Sequence, residues 1–299
     1  MPRPARRVPL VAHLLLLGMT PALRSQGAPL PPQPLIVALP ASVRYAGLGG
    51  ASAALSGDAG AVFGNPAGLA TIKHAAMEAA FQRYPDGSLE TMGAAAFRLY
   101  QFDFGGGYHF LQLSDTSSIK ANLSWTGTAV YRIGLFALGA SGRYVSLKDS
   151  AGVKRRAFTT DAGLELALFD IMALGVSVQN LGNNRVSGGP LDLPTSTHVG
   201  FSFNFVDPQL STRLLGTVET IWTDREARRT VFGVEAGAVF YGLGLVARAG
   251  YGGAPGGAGQ HKASYGAGAV LGRLRVDYAF QRRTTLGNQV HRIGVRWTL

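Results

Sequence analysis

The sequence predicts an all-β fold, a closed antiparallel transmembrane barrel of about fourteen strands. Three observations lead there: short runs alternate at period two along most of the chain, their connections sort by length, and the chain stops inside an apolar-faced strand. The runs lie near residues 75–84, 89–99, 102–112, 121–131, 135–146, 157–168, 172–180, 197–205, 211–222, 230–240, 243–251, 263–270, 273–281 and 290–299. In one of them Leu274, Val276, Tyr278 and Phe280 alternate with Arg273, Arg275, Asp277 and Gln281. Successive side chains of a strand point to opposite faces, so each run has one apolar face and one face carrying charge.

Connections after even-numbered runs are short, such as Tyr100-Gln101, Tyr241-Gly242 and Leu271-Gly272. Those after odd-numbered runs are mostly longer, notably 147–156, 181–196, 252–262 and 282–289. Short turns at one end, long loops at the other and an even strand count are features of membrane barrels, whose apolar face meets lipid and whose polar face lines the lumen. In the last run Ile293, Val295, Trp297 and Leu299 share one face and Arg292, Gly294, Arg296 and Thr298 the other. Unpaired apolar edges aggregate, so this strand is expected to be paired on both sides.

Composition narrows the rest. The 299 residues hold 41 glycines and no cysteine, which excludes disulfides, thiolate metal sites, a cysteine nucleophile and a lipoprotein anchor. Hydrophobic residues make up 46%, yet beyond the N-terminus no window is apolar enough for a spanning helix. Residues 1–27 read as a signal peptide: Arg3, Arg6 and Arg7 are its basic region, 8–19 its apolar core, and Ser25-Gln26-Gly27 its small-residue cleavage site. Its removal, Arg24 included, lowers the formal charge from +11 to +7. Residues 28–74 then form a Pro-rich leader and pre-barrel segment, and 75–299 the barrel.

Two resemblances add to this reading. Arg292, Gly294, Trp297 and Leu299 resemble the C-terminal assembly signal of bacterial outer-membrane barrels, with Leu299 where an aromatic is commonest. The stretch 45–69, with Gly47, Gly49, Gly50, Asp58 and then Asn65-Pro66-Ala67, is similar to the N-terminal hatch of the FadL superfamily, which implies a lumen plugged by this segment. Chain length, together with Asp161-Ala-Gly, Gln179-Asn-Leu-Gly, Leu193-Pro194 and Val276-Asp-Tyr-Ala-Phe280, resembles the PorV/PorQ-like branch. That resemblance implies a type IX secretion component passing exported cargo. A FadL-like channel for hydrophobic small molecules such as long-chain fatty acids, and a structural barrel without transport, stand as alternatives.

Nothing points to an enzyme. The histidines have no metal-ligand spacing and no G-x-S-x-G motif occurs; His109 near Ser114 is the one candidate for surface hydrolysis, and it reads as a polar strand end. Gly47-Leu-Gly-Gly50 lacks the context of a phosphate loop, and no cofactor is expected. Asp161, Glu165, Glu235 and Asp277 share the lumen face with Arg143, Arg248, Arg273, Arg275 and Arg296, which suggests mutual ion pairing. Gly163, Gly175, Gly233, Gly237, Gly244 and Gly250 on the same face are expected to leave room for side chains. Tyr100, Trp222, Tyr241, Tyr251, Tyr278 and Trp297 suit interfacial girdles. In the outer loops Lys154, Arg155, Arg156, Arg228, Arg229, Arg282 and Arg283 outweigh Asp86, Asp115, Asp149, Asp192, Asp224 and Glu226. Expected partners are outer-membrane lipid, the barrel assembly machinery, and secreted cargo or hydrophobic small molecules; nucleic acid is not expected.

Overall fold

The computed structural model describes residues 35–114, 119–149, 151–169, 171–182, 193–205, 212–224, 228–253, 261–284 and 287–299. The signal-peptide reading of 1–27 and the leader up to residue 34 lie outside them.

Fourteen strands close a barrel in which each pairs antiparallel with its sequence neighbours and the last returns to the first. They are β1 (Ala75–Arg83), β2 (Leu89–Leu99), β3 (Phe102–Gln112), β4 (Ile119–Ile133), β5 (Phe136–Asp149), β6 (Lys154–Leu168), β7 (Met172–Leu181), β8 (Ser196–Asn204), β9 (Thr212–Thr223), β10 (Arg229–Phe240), β11 (Leu243–Gly253), β12 (His261–Leu271), β13 (Leu274–Thr284) and β14 (Gly287–Thr298). The seam runs from Ala76 opposite Thr298 to Arg83 opposite His291, so the terminal strand is paired on both sides and no edge remains. Tight two-residue turns close the hairpins after β2, β4, β10 and β12. At Tyr241-Gly242 both residues have positive φ (50° and 82°), the geometry of a two-residue turn that matches strand twist.

The alternation sorts as the sequence implies. Phe81, Phe97, Trp125, Leu138, Phe158, Val234, Leu245, Tyr265 and Ile293 all point outward and are exposed. Such a band is costly in water and stable in hydrocarbon, which makes this the surface of a membrane-embedded barrel. Tyr100, Tyr241 and Tyr251 sit exposed near the ends of the barrel wall.

The strands run further than the alternation alone indicates. β5 and β6 leave only residues 150–153 between them, and β13 and β14 only 285–286, so two of the expected long loops are hairpin extensions. Lys154, Arg155, Arg156, Arg229, Arg282 and Arg283 accordingly belong to strands rather than loops. Beyond the membrane both faces of a strand can be polar, and the alternation that marks it fades. The connection after β8, 205–211, is as long as those at the other end, so the sorting by length is looser than expected.

Residues 35–72 pass through the barrel as α1 (Leu35–Ala38), α2 (Val43–Gly47) and two 3₁₀ helices, Ala59–Phe63 and Pro66–Thr71. This segment gives the lumen three layers. At the long-connection end Ile36 joins Leu111, Leu113, Val145, Leu147, Leu193 and Val290 in an apolar cluster. At the short-turn end Val62, Leu69 and Ile72 pack on Ala76, Ala96, Val130 and Ala137. Charged groups occupy the middle. The inward charges are densest in this central belt, with smaller groups toward each end, Asp103 with Arg98 and Arg132 at the short turns and Glu90 with His109 and Arg292 toward the long connections.

Candidate functional site

The candidate site is the enclosed N-terminal segment with the wall that holds it. Arg44, on α2, is 4% exposed and would be costly to bury unpaired. Its Nε and Nη2 donate to the two oxygens of Glu235 on β10, both at 3.0 Å, and its Nη1 donates to Asp58 Oδ2 at 2.7 Å. Glu235 also accepts from Arg248 Nε on β11 at 2.7 Å, and Arg248 Nη1 reaches Asp277 Oδ1 on β13 at 2.8 Å. Asp277 further receives Arg275 Nε at 2.9 Å and Arg296 Nε at 2.8 Å, and Arg296 returns to Asp58 through Nη1. A chain of alternating charges thus leaves the segment at Arg44, crosses β10, β11, β13 and β14, and re-enters it at Asp58. Burial alone would raise the Asp58 carboxyl, but Arg296 and Arg44 outweigh it and hold the group below the ordinary carboxylate range.

The opposite side uses backbone. Glu219 on β9 accepts from the amides of Ser52 at 2.5 Å and Ala53 at 2.8 Å, and its other oxygen lies 2.7 Å from His198 Nδ1 on β8. Asn65 bridges the segment to β6: Nδ2 donates to Ala53 O at 2.6 Å and Leu164 O at 3.2 Å, while Oδ1 accepts from Ala67 N at 3.1 Å. That last bond caps the 3₁₀ helix whose first position is Pro66. Gly49 has φ +77° and Gly50 φ +93°, and the turn they make lets Gly50 N donate to Tyr45 O at 2.8 Å and Gly49 N to Ser264 Oγ at 2.9 Å.

Nearer the long-connection end, Arg292 on β14 donates to Glu90 Oε1 at 2.6 Å and to Ala41 O at 2.9 Å, and also bonds Pro40 O. His109 faces inward against Glu90 Oε1 at 2.7 Å, which removes it from any reaction on the outer surface. Ser196 Oγ, His198 and Glu219 stand in the order of a hydrolytic relay, with Ser196 Oγ 3.0 Å from His198 Nε2. Glu219, however, is occupied by the segment's amides, and the arrangement serves to hold residues 52–53.

The inward glycines mark where the segment touches the wall. A Cβ on Gly175 would run into Ala53 O, one on Gly163 into Asn65 Oδ1, and one on Gly250 into the Leu48-Gly49 backbone; at Gly139 it would lie 2.6 Å from Ala67 N. The space attributed above to neighbouring side chains is filled, at these positions, by the N-terminal backbone. Gly237 and Gly244 differ, since their nearest neighbours belong to the wall itself.

Between the segment and the wall lies a cavity of about 120 Å³, bordered by Val37, Leu39, Phe63 and Ile221 on its apolar side and by Gln179, His198 and Ser264 on its polar side. It faces the long-connection end and adjoins the apolar cluster around Ile36.

Of the sequence-derived positions, Asp58, Glu235, Arg248, Arg275, Asp277 and Arg296 meet in one network, and Arg143 pairs separately with Asp161 at 2.7 Å on β5 and β6. Gly47 packs on Arg248 and Gly266. Glu165 is buried next to Gly68, apart from those cations. Arg273 is not a lumen residue: it lies exposed in the turn before β13, where alternation no longer dictates direction. Arg44, Glu78, Glu90, His198 and Glu219 were not singled out in the sequence. For Glu78, Glu90 and Glu219 the available signal was parity, since each lies on the inward face of its strand.

A closed barrel with an N-terminal segment packed through its lumen is the class that this geometry defines. No family model matches the sequence, and none of the curated proteins does. Solved structures do. The chain is similar to the CymD monoaromatic hydrocarbon channel (TM-score 0.64, 13% identity, 87% of this chain and 97% of that one). It is also similar to the Ralstonia pickettii toluene transporter TbuX (0.59, 15%, 87% and 98%) and to the Pseudomonas putida toluene transporter TodX (0.60, 13%, 85% and 96%). At these identities the likeness establishes a shared barrel fold over nearly the whole length of each protein.

Proposed function

We propose that the chain is a FadL-like outer-membrane channel for hydrophobic small molecules, closed in its resting state by residues 35–72 acting as a hatch. The carrying observation is the lumen's layering: an apolar mouth around Ile36, a cavity beneath it, then a belt of buried ion pairs. A hydrophobic solute gains by entering the first two layers and is stopped by the third. The cavity is on the scale of the ~150 Å³ hole that is known to take up benzene in another protein. The solved barrels that share the fold over nearly their whole length include channels for toluene and other monoaromatic hydrocarbons, which supports the same substrate class here.

The type IX secretion reading rests on PorV/PorQ-like motifs alone, with no observation on the lumen favouring cargo transfer, and it gives way to the channel. Within this proposal residues 1–27 direct export, the barrel faces the outside with its long connections, and Arg292, Gly294, Trp297 and Leu299 serve the assembly machinery. Uptake of radiolabelled toluene and of a long-chain fatty acid by cells expressing the protein tests it. Faster uptake than in vector controls, lowered when Leu39→Trp fills the cavity, is the expected result. Uptake equal to controls for both solutes defeats the channel reading.

A further inference from the structure

Three of the longest strands adjoin one another: β4 has 15 residues, β5 has 14 and β6 has 15. A strand needs about 9–11 residues to cross a bilayer, so this sector projects beyond it as a ledge. Its outward face has an ordered pattern. Tyr108 lies opposite Trp125, Trp125 opposite Tyr144, and Tyr144 opposite Phe158, giving an unbroken aromatic row across four strands. The Tyr108 and Trp125 rings are 5.6 Å apart. Aromatic rows of this kind sit at the membrane–water boundary.

Two residues further out, Ser146 faces Arg156, and two beyond that Lys148 faces Lys154. All three cations point outward on the same face as the aromatics and are exposed. At ~3.3 Å per residue and ~40° tilt, Arg156 stands about 5 Å further out than Phe158, and Lys154 and Lys148 about 10 Å further out than Phe158 and Tyr144. Headgroup layers add ~5–8 Å to each side of the hydrocarbon, so Arg156 lies within that layer and the lysines at its outer edge. Like charges placed directly opposite in a sheet repel, and an anion lying across Lys148 and Lys154 relieves that repulsion.

We propose that this ledge is a binding surface for a phosphorylated glycolipid of the outer leaflet: Lys148, Lys154 and Arg156 hold its phosphates while Tyr108, Trp125, Tyr144 and Phe158 support its sugar body and upper chains. The proposal is independent of what the lumen carries. It predicts an annular lipid fixed on one sector, beside β4–β6.

The test is native mass spectrometry of the full barrel released from nanodiscs containing phosphatidylethanolamine doped with bisphosphorylated lipid A or with its dephosphorylated counterpart. Wild type should retain the phosphorylated form at least tenfold over the dephosphorylated one. K148Q/K154Q/R156Q should cost about 100-fold of that retention, at roughly fivefold per cation, whereas Lys73→Gln at the opposite rim should leave it unchanged. The wild-type comparison stands even if the triple variant fails to assemble. Equal retention of the two lipid A forms, an unaffected triple variant, or displacement by inorganic phosphate at the same phosphate concentration would overturn the proposal.

Discussion

The two sides of the lumen hold the same segment by different physics. Toward β10–β14 it is bound mainly through charge, with Arg44 and Asp58 spliced into a chain of buried ion pairs, beside a close backbone approach at Gly250. Toward β5–β9 it is bound mainly by fit, with Gly139, Gly163, Gly175 and Gly200 admitting atoms of the segment and Asn65 and Glu219 fastening them. Close fit offers no partial release, since interiors pack at crystal-like density. A charge network can be unlatched group by group, and removing one partner strands the others in a dry site. The structure therefore has a fixed side and a latch side.

The largest effect should come from the fixed side. Gly175→Val sets a side chain against the Ala53 carbonyl, which cannot move without shifting the whole segment. Amide exchange at residues 52–54 should rise to near-unprotected rates in that variant, with the barrel still heat-modifiable; retained protection would mean that the glycine contacts are not what positions the segment.

Next is the latch. Arg44→Ala leaves Glu235 and Asp58 each short of a cation, a loss of about 3–5 kcal/mol for a broken buried pair. Trypsin or another protease should then cut within 35–72 at least tenfold faster than in wild type. An unchanged rate would mean that the ionic side contributes little and that fit alone holds the segment.

Asn65→Ala should have a smaller effect, because it removes one amide's donors and acceptor worth about 1–3 kcal/mol while the surrounding glycine contacts stay. Protection at residues 52–54 should fall measurably but less than in Gly175→Val. A loss as large as that of the valine variant would reverse the ranking of fit over hydrogen bonding.

The smallest predicted effect is the dependence on pH. Asp58 has its folded value depressed, so its ion pairs contribute fully above the unfolded carboxylate value of about 3.9 and are lost as pH falls through the lower folded value. The gap in segment protection between wild type and Asp58→Asn should therefore persist from pH 7 to 5 and close only below about pH 4. A gap that closes by pH 6 would mean Asp58 is not held by Arg44 and Arg296.

The difference between the two sides also explains what the sequence could reveal. Alternation in runs such as Leu274–Phe280 discloses a strand and its facing, because membrane and lumen impose opposite chemistry on neighbouring residues. It ends where that contrast ends, as at Arg273 in a turn or Lys154–Arg156 on the ledge. The lumen charges were visible as a set, but their pairing was not. Arg44 and Glu235 are 191 positions apart, and only closure of the barrel brings them together. Gly163 and Gly175 of the fixed side were visible too, while Gly139 and Gly200 were not, and the atoms that fill their space come from a segment whose path carries no periodicity. Asn65 was legible as part of the hatch-like motif, while its bonds to Ala53, Leu164 and Ala67 depend on how the segment folds inside the barrel.

The central claim is that residues 35–72 are the barrier in an otherwise continuous barrel. Planar-bilayer recordings on wild type and on the Arg44→Ala/Asn65→Ala double variant test it most directly, with heat modifiability verifying that both barrels are folded. Wild type should be electrically silent and the double variant should show discrete open-channel steps. Steady conductance in wild type, or silence in a folded double variant, would contradict the account.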